Sequence, residues 1–469
     1  MNNIIKGASI ILGSAIVGKS SYSLINCDEN KTEHTSNLTT PPTTNKPKKC
    51  CSSKKKCIKK SNKIISNNHH NDNKEVNEKL TNSTKMRKDL AKEILSWKEA
   101  NFVPGISVCI QNEGETIYKE AFGYSDIENA IPMNTSSKLR IASISKALTA
   151  IGLGVLMDEG KIKLEDSIQK YVPEFPKSPN YPDEELSVGD VASHLGGIRH
   201  YGKNRATEFY SVGKYKTSKE YNPHNHPNPL QMFINNPWVE DLNKTKPGHY
   251  YSYSTFGYTL LGLVIEEASG KDFLSFMREK VFKPCGMYST LPDEHDTLIP
   301  GRSKQYALKF IPRSTQEIAV SGYNEPKVVL CNAEFTNSSY KWPGGGFIST
   351  AEDLCRLGST LLIGNLLKTD TIKRLFTPNP PKTGKSPQEY ATGWIYQKNN
   401  EVKNNDSGKG DIIYHTGNAV GGSTVLVTMP NERIVVTVLA NQEKTSGSIA
   451  EFGFKLGRIT SQYKDNYTE

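Results

Sequence analysis

The chain has 469 residues, 36% hydrophobic and 23% charged, and a formal net charge of +10. Residues 1–84 hold fourteen Lys and no Arg against six acidic residues, so a net of about +8 sits there and the other 385 residues carry only about +2. A nucleic-acid-binding surface needs basic charge on the folded part, so the near-neutral body argues against one and no nucleic-acid partner is expected.

Residues 1–26 contain Lys6 and Lys19, no acid before Asp28, and an apolar run from Gly7 to Gly18. About twelve residues are too few to span a bilayer and suit a presequence or a short membrane anchor, through which the chain could associate with a membrane. The absence of Arg favours secretion over a mitochondrial address on composition alone. Residues 27–84 are rich in Asn, Lys, Ser, Thr and Pro without apolar periodicity, the signature of a disordered basic linker. Cys50, Cys51 and Cys57, with His69 and His70, fit no zinc template well. Cys109, Cys285, Cys331 and Cys355 lie singly in the body and read as reduced packing residues.

Order is expected from near Met86 and over a single domain at 85–465. Leu90, Ile94, Leu95 and Trp97 are spaced for one helical face. Ile106 to Ile110 and Thr116 to Tyr118 flank Asn112-Glu113-Gly114 and predict a β-hairpin. At the other end Ser423 to Met429 and Arg433 to Ala440 flank Pro430-Asn431-Glu432, and a helix with Ile449, Phe452, Leu456 and Ile459 follows. Helix and hairpin at one end mirror hairpin and helix at the other. The predicted class is α+β: an antiparallel sheet built from both chain ends and flanked by terminal helices, with residues of about 125–400 as a mostly helical lobe.

Three motifs carry chemistry. Ser143-Ile144-Ser145-Lys146 fits Ser-x-x-Lys, which puts a hydroxyl and an amine one turn apart on a helix. Ile144, Leu148, Ile151 and Val155 make that helix apolar, Gly160 ends it, and a serine at its start gains from the helix dipole. A helix-capping serine beside a snorkelling lysine gives the same pattern, as does Ser52-Ser53-Lys54-Lys55-Lys56 in the linker. Tyr253-Ser254-Thr255 leads from a loop into an apolar helix. Its phenol can act as a base only if a nearby cation lowers its pKa from about 10; otherwise Tyr250, Tyr251, Tyr253 and Tyr258 are an aromatic packing cluster. His415-Thr416-Gly417-Asn418 reads as a strand along the groove. There Gly417 would allow close approach of a substrate backbone, and the Asn418 and Ser143 N–H groups would form an oxyanion hole.

Taken in order, the motifs match those of the serine β-lactamases and penicillin-binding proteins, with Thr255 where Asn is usual and His415 where Lys is usual. Arg140 to Lys146, Tyr171 to Pro176, Ser193 to Tyr201, Tyr253 to Leu261 and Ser339 to Phe347 further resemble the mitochondrial serine β-lactamase-like proteins of animals. Gly196 departs from that pattern, which has Ser there. Residues 202–245 look like a variable insertion, and with Tyr201, Tyr210, Tyr215 and Tyr221 they are expected to form a flap.

The resemblance implies a peptidase-like serine hydrolase of the mitochondrial intermembrane space that influences lipid metabolism and assembles into homo-oligomers. The expected catalytic residues are Ser143, Lys146, Tyr253 and His415, the last as electrostatic support, with Thr255, Thr416, Gly417 and Asn418 at the substrate. The substrate would be a peptide, or another amide or ester, and no metal or organic cofactor is called for. The competing reading is a catalytically idle member serving as a structural or filament-forming module, and esterase activity on lipids would use the same machinery.

Overall fold

The computed structural model describes residues 82–201, 229–294, 296–398, 410–445 and 448–463. The proposed presequence, the linker up to residue 81 with its Cys and His residues, and Tyr210, Tyr215 and Tyr221 of the expected flap lie outside them.

Residues 82–100 form the first helix. Met86, Leu90 and Ile94, one turn apart, are fully buried, and Trp97 stacks on Phe452 with ring centroids 4.6 Å apart. β1 (Gly105–Asn112) and β2 (Glu115–Asp126) follow. Glu113 and Gly114 between them have φ of 52° and 90°, the two left-handed residues that let a two-residue turn follow the twist of a hairpin. β3 (Ile131–Pro132) extends the outer edge of β2.

The insertion is less purely helical than the sequence predicted. β4 (Leu139–Arg140) and β5 (Leu291–Pro292) belong to a small sheet, and β6 (Tyr306–Ile311) and β7 (Lys327–Asn332) form a hairpin. β8 (Phe347–Ser349) joins β4 and β5 in the order β4-β8-β5. β4, β5 and β8 are only two or three residues long, too short for apolar periodicity to mark them.

β9 (Glu389–Tyr390) and β10 (Ile395–Gln397) bring the chain back to the main sheet. It is completed by β11 (Ile412–Ala419), β12 (Gly422–Met429) and β13 (Ile434–Ala440). The order is β3-β2-β1-β13-β12-β11-β10-β9. Its two chain ends meet where β1 pairs antiparallel with β13, Ile106 opposite Ala440 through Asn112 opposite Ile434.

Period-two alternation divides the strand side chains between two cores. Val108, Ile110, Val425, Val427, Val436 and Val438 pack under the 82–100 helix and the Ile449–Gln462 helix. Cys109, Leu426, Val435 and Leu439 face the helical lobe instead, where the Ile144–Asp158, Thr255–Ser269 and Ala351–Ile363 helices pack.

Part of the expected flap belongs to that lobe: Leu230 and Phe233 are buried and Phe233 stacks on Phe256 with centroids 4.6 Å apart. A Cβ at Gly196 would already lie 3.1 Å from Leu186 Cδ1, so this core leaves little room for the serine of the related pattern. Cys109, Cys285 and Cys355 are buried free thiols and Cys331 is partly exposed. Among the described residues no helix is long and apolar enough to cross a membrane. Residues 313–325 are a separate unit of the chain, holding the short Thr315–Ser321 helix with a Ser314–Glu317 capping box.

Candidate active site

The chain reaches Ser143 through an anchored segment. The Arg140 guanidinium pairs with Asp293 at 2.6 Å and donates to the carbonyls of Val420 (3.0 Å) and Thr336 (3.1 Å). Ala142 then takes a φ of +46°, a strained conformation for a residue with a Cβ, of the kind that concentrates at functional sites. Ser143 opens the fifteen-residue Ile144–Asp158 helix, of which thirteen residues are buried. Its hydroxyl does not cap that helix: the Ser145 N–H goes to Ala142 O and the Lys146 N–H to Ser143 O. The capping-serine alternative therefore does not hold here.

The Ser143 Oγ is instead held by two side chains. Lys146 Nζ lies 3.1 Å away and the Tyr253 hydroxyl donates to it at 2.8 Å. Lys146, one turn along the helix, is fully buried. Its other partners are Thr255 Oγ1 at 3.1 Å and Gly344 O at 2.6 Å, and among the described residues no carboxylate touches the amine. Burial, and then the positive charge of Lys341, hold its pKa well below the ordinary lysine range.

Burial also pushes the Tyr253 phenol upward, only partly offset by its hydrogen bond to Ser143. A base role for Tyr253 requires a nearby cation to lower its pKa. The direction is upward instead, because burial outweighs any such field although the Lys146 Nζ lies 4.8 Å from the ring centroid.

His415 stands on β11 among the residues lining the same cavity. Its Nδ1 is 2.6 Å from Thr416 O, and since a carbonyl can only accept, the hydrogen is on Nδ1. Nε2 is then an acceptor and takes the Tyr390 O–H at 2.9 Å. Burial first, and the nearby Lys146, bring the His415 pKa down to about 3. The imidazole is thus neutral and bonded to a tyrosine.

Strand pairing decides what the rest of the motif offers. Asn441 donates its N–H to Gly105 O at 3.1 Å, which fixes the alternation of hydrogen-bonded pairs across β13 and β12. Carried through to β11, it turns the backbone groups of Gly417 toward Thr424 and those of Thr416 and Asn418 toward the opposite edge. β10 covers that edge only as far as Tyr414, opposite Ile395. Beyond it, among the described residues, β11 presents an open edge to the cavity. Gly417 serves packing: a Cβ there would lie 2.3 Å from both Ile141 O and Thr424 Oγ1, so the missing side chain lets β11 close on the segment before Ser143.

The cavity measures about 610 Å³ and is lined by Ser143, Tyr253, Thr255, His415, Thr416 and Asn418 together with the β6–β7 hairpin and Lys341. All four expected catalytic residues therefore gather at one place, with Lys146 beneath its floor. Sequence reasoning gave no role to Tyr390, Lys341, Gly344 or His194. Lys341, Gly344 and His194 sit in stretches that carry the family resemblance, whereas Tyr390 lies on a two-residue strand with no pattern to mark it. Among the described residues no cluster of three or more His, Cys, Asp or Glu is arranged for a metal ion.

Comparison with known proteins agrees with the fold. The β-lactamase family profile matches residues 94–452. The chain is 31% identical over 411 residues to the mitochondrial serine beta-lactamase-like protein LACTB of Homo sapiens, covering 71% of this chain and 70% of that one. It is 26% identical over 336 residues to penicillin-binding protein 4* of Bacillus subtilis, covering 71% and 66%.

Among solved structures, the octameric penicillin-binding protein homologue of Pyrococcus abyssi superposes with a TM-score of 0.60 at 21% identity, over 80% of this chain and 77% of that one. The D-amino acid amidase of Ochrobactrum anthropi gives 0.58 at 19%, over 81% and 98%. The chain belongs to the β-lactamase family, within the β-lactamase and penicillin-binding-protein superfamily of serine hydrolases, and is a homologue of the mitochondrial serine beta-lactamase-like proteins.

Proposed function

We propose that the protein is a serine hydrolase that forms an acyl-ester on Ser143 from extended peptide, amide or ester substrates. The observation that carries this reading is the fully buried Lys146, within 3.1 Å of Ser143 Oγ and, among the described residues, without a carboxylate partner. A neutral amine has two hydrogens and one lone pair. The hydrogens go to Gly344 O and Thr255 Oγ1, and the lone pair receives the Ser143 proton.

The reaction then balances. Ser143 Oγ attacks the substrate carbonyl as its proton passes to Lys146. The oxyanion rests on the N–H groups of Ser143 and Asn418. Tyr253, protonated because burial raises its pKa, gives its proton to the leaving group, and Lys146 passes the one it took to the Tyr253 phenolate, which restores both groups. Water repeats the sequence on the acyl-ester. Substrate lies along the open edge of β11 and pairs with the main chain at Thr416 and Asn418.

With His415 neutral, that strand carries no cation at the motif's first position, so a free substrate carboxylate is not the group read there. By likeness to relatives named as mitochondrial, we assign this activity to the mitochondrion; the narrower assignment to the intermembrane space and lipid metabolism rests on the family resemblance of the sequence alone. The test is hydrolysis of a chromogenic peptide amide and an ester by the full chain and by Ser143→Ala. Loss of both activities supports the reading; equal turnover by the two proteins, or none in either, would favour the structural module.

A further inference from the structure

His194 lies behind Tyr253 and touches neither Ser143 nor the open cavity, yet it is built into the site at some cost. It is 1% exposed and has a φ of +63°, which a residue with a Cβ adopts only under constraint. Its carbonyl accepts the Ser252 N–H at 2.8 Å. Its Nδ1 accepts the Ser254 N–H at 3.1 Å. These two bonds grip the backbone on either side of Tyr253. The ring meanwhile packs against the Tyr253 ring, centroids 4.3 Å apart, and against Tyr390 at 4.5 Å.

Because Nδ1 accepts, the hydrogen sits on Nε2, and that N–H is buried without an acceptor. Burial, with Lys146 and then His415 nearby, holds the imidazole neutral. Tyr390, on its far side, is tied to His415 Nε2. The His415 motif thus connects to the nucleophile through a chain of packed rings.

We propose that His194 is a positioning residue for acylation: it clamps both neighbours of Tyr253 and backs the ring, so that the phenol stays on Ser143 Oγ and delivers its proton to the leaving group. Tyr390, fixed by His415, buttresses it from behind. The inference rests on the proton-donor reading of Tyr253 given above.

Leaving-group dependence tests it. A peptide amide needs a proton on its departing nitrogen, whereas p-nitrophenolate departs without one. Acylation rates of the full chain are to be measured on both substrates, the ester from the nitrophenolate burst. Tyr253→Phe should slow amide acylation by roughly 10² or more, the scale of general-acid catalysis, and ester acylation far less. His194→Gln, which moves the acceptor out of place, should show the same amide-selective loss with little change in KM. His194→Asn should recover most of the rate, since its Oδ1 can occupy the Nδ1 position and Asn tolerates positive φ.

Equal loss on both substrates in His194→Gln, an unchanged amide-to-ester ratio, or Asn no better than Gln overturns the inference. Should His194→Gln fail to fold, Tyr390→Phe takes its place, with a smaller amide-selective loss expected and an unchanged ratio contradicting it. If Tyr253→Phe itself shows no selectivity, the proton-donor reading falls. If only the His194 and Tyr390 variants lack it, that reading stands and the inference alone fails.

Discussion

The two faces of the main sheet are built to different ends. Under the terminal helices the packing is aliphatic and aromatic, with Val425, Val427, Val436, Phe454 and Leu456 all fully buried. Under the helical lobe the same strands carry His415, and the lobe adds Lys146, His194, Tyr253 and Tyr390. Burying an amine, two imidazoles and two phenols without a neutralising carboxylate opposes folding, whereas burying a valine favours it. Both faces bury apolar side chains, but the lobe face also holds groups whose protonation burial resets.

That contrast can be broken from either side. Ser143→Ala should lower turnover by at least roughly 10⁴-fold and abolish labelling by a fluorophosphonate, while thermal unfolding stays within a few degrees of the parent. Lys146→Met should lower turnover by about 10³-fold or more. Its cost in stability comes from the donors lost by Gly344 O and Thr255 Oγ1, about 1–3 kcal/mol for each group left unpaired; urea unfolding reads this.

Leu456→Ala should do the opposite, with kinetic constants unchanged and stability lower by about 2–5 kcal/mol, measured by the same unfolding curve. A Leu456→Ala enzyme with a changed kcat would erase the division of labour between the faces. The smallest effect is in pH. His415 titrates at about 3 when folded and near 6.5 when unfolded, so below 6.5 the unfolded chain binds the extra proton. Stability from this group is complete above pH 6.5 and declines as pH falls toward 3. His194, also depressed, acts in the same direction. His415→Gln should flatten the Tm-versus-pH curve in that window.

The sheet was legible because its hairpins are long enough to show alternation and because helix-hairpin and hairpin-helix mirror one another at the two ends. The short strands β3, β4, β5, β9 and β10 left no such trace, and Tyr390 went unseen with them. At the site, the residue types and their order were readable, as was the family resemblance. What could not be read was the sign of the electrostatics. Whether Lys146 is a cation or a base, and whether Tyr253 is acid or base, depends on which groups surround them in the buried shell, and only the three-dimensional arrangement shows that, among the described residues, none of these is a carboxylate. Gly417 teaches the same lesson: the sequence marks a required glycine, but only the packing on Ile141 and Thr424 tells which neighbour requires it.

The most direct check is the pH dependence of Ser143 labelling by a fluorophosphonate, with the modified residue located by mass spectrometry. With a neutral buried lysine as base, the rate should already be near its plateau at pH 7 to 8, with the adduct on Ser143. A rate that keeps rising toward the ordinary lysine pKa of about 10.4, or an adduct on another residue, would contradict the account.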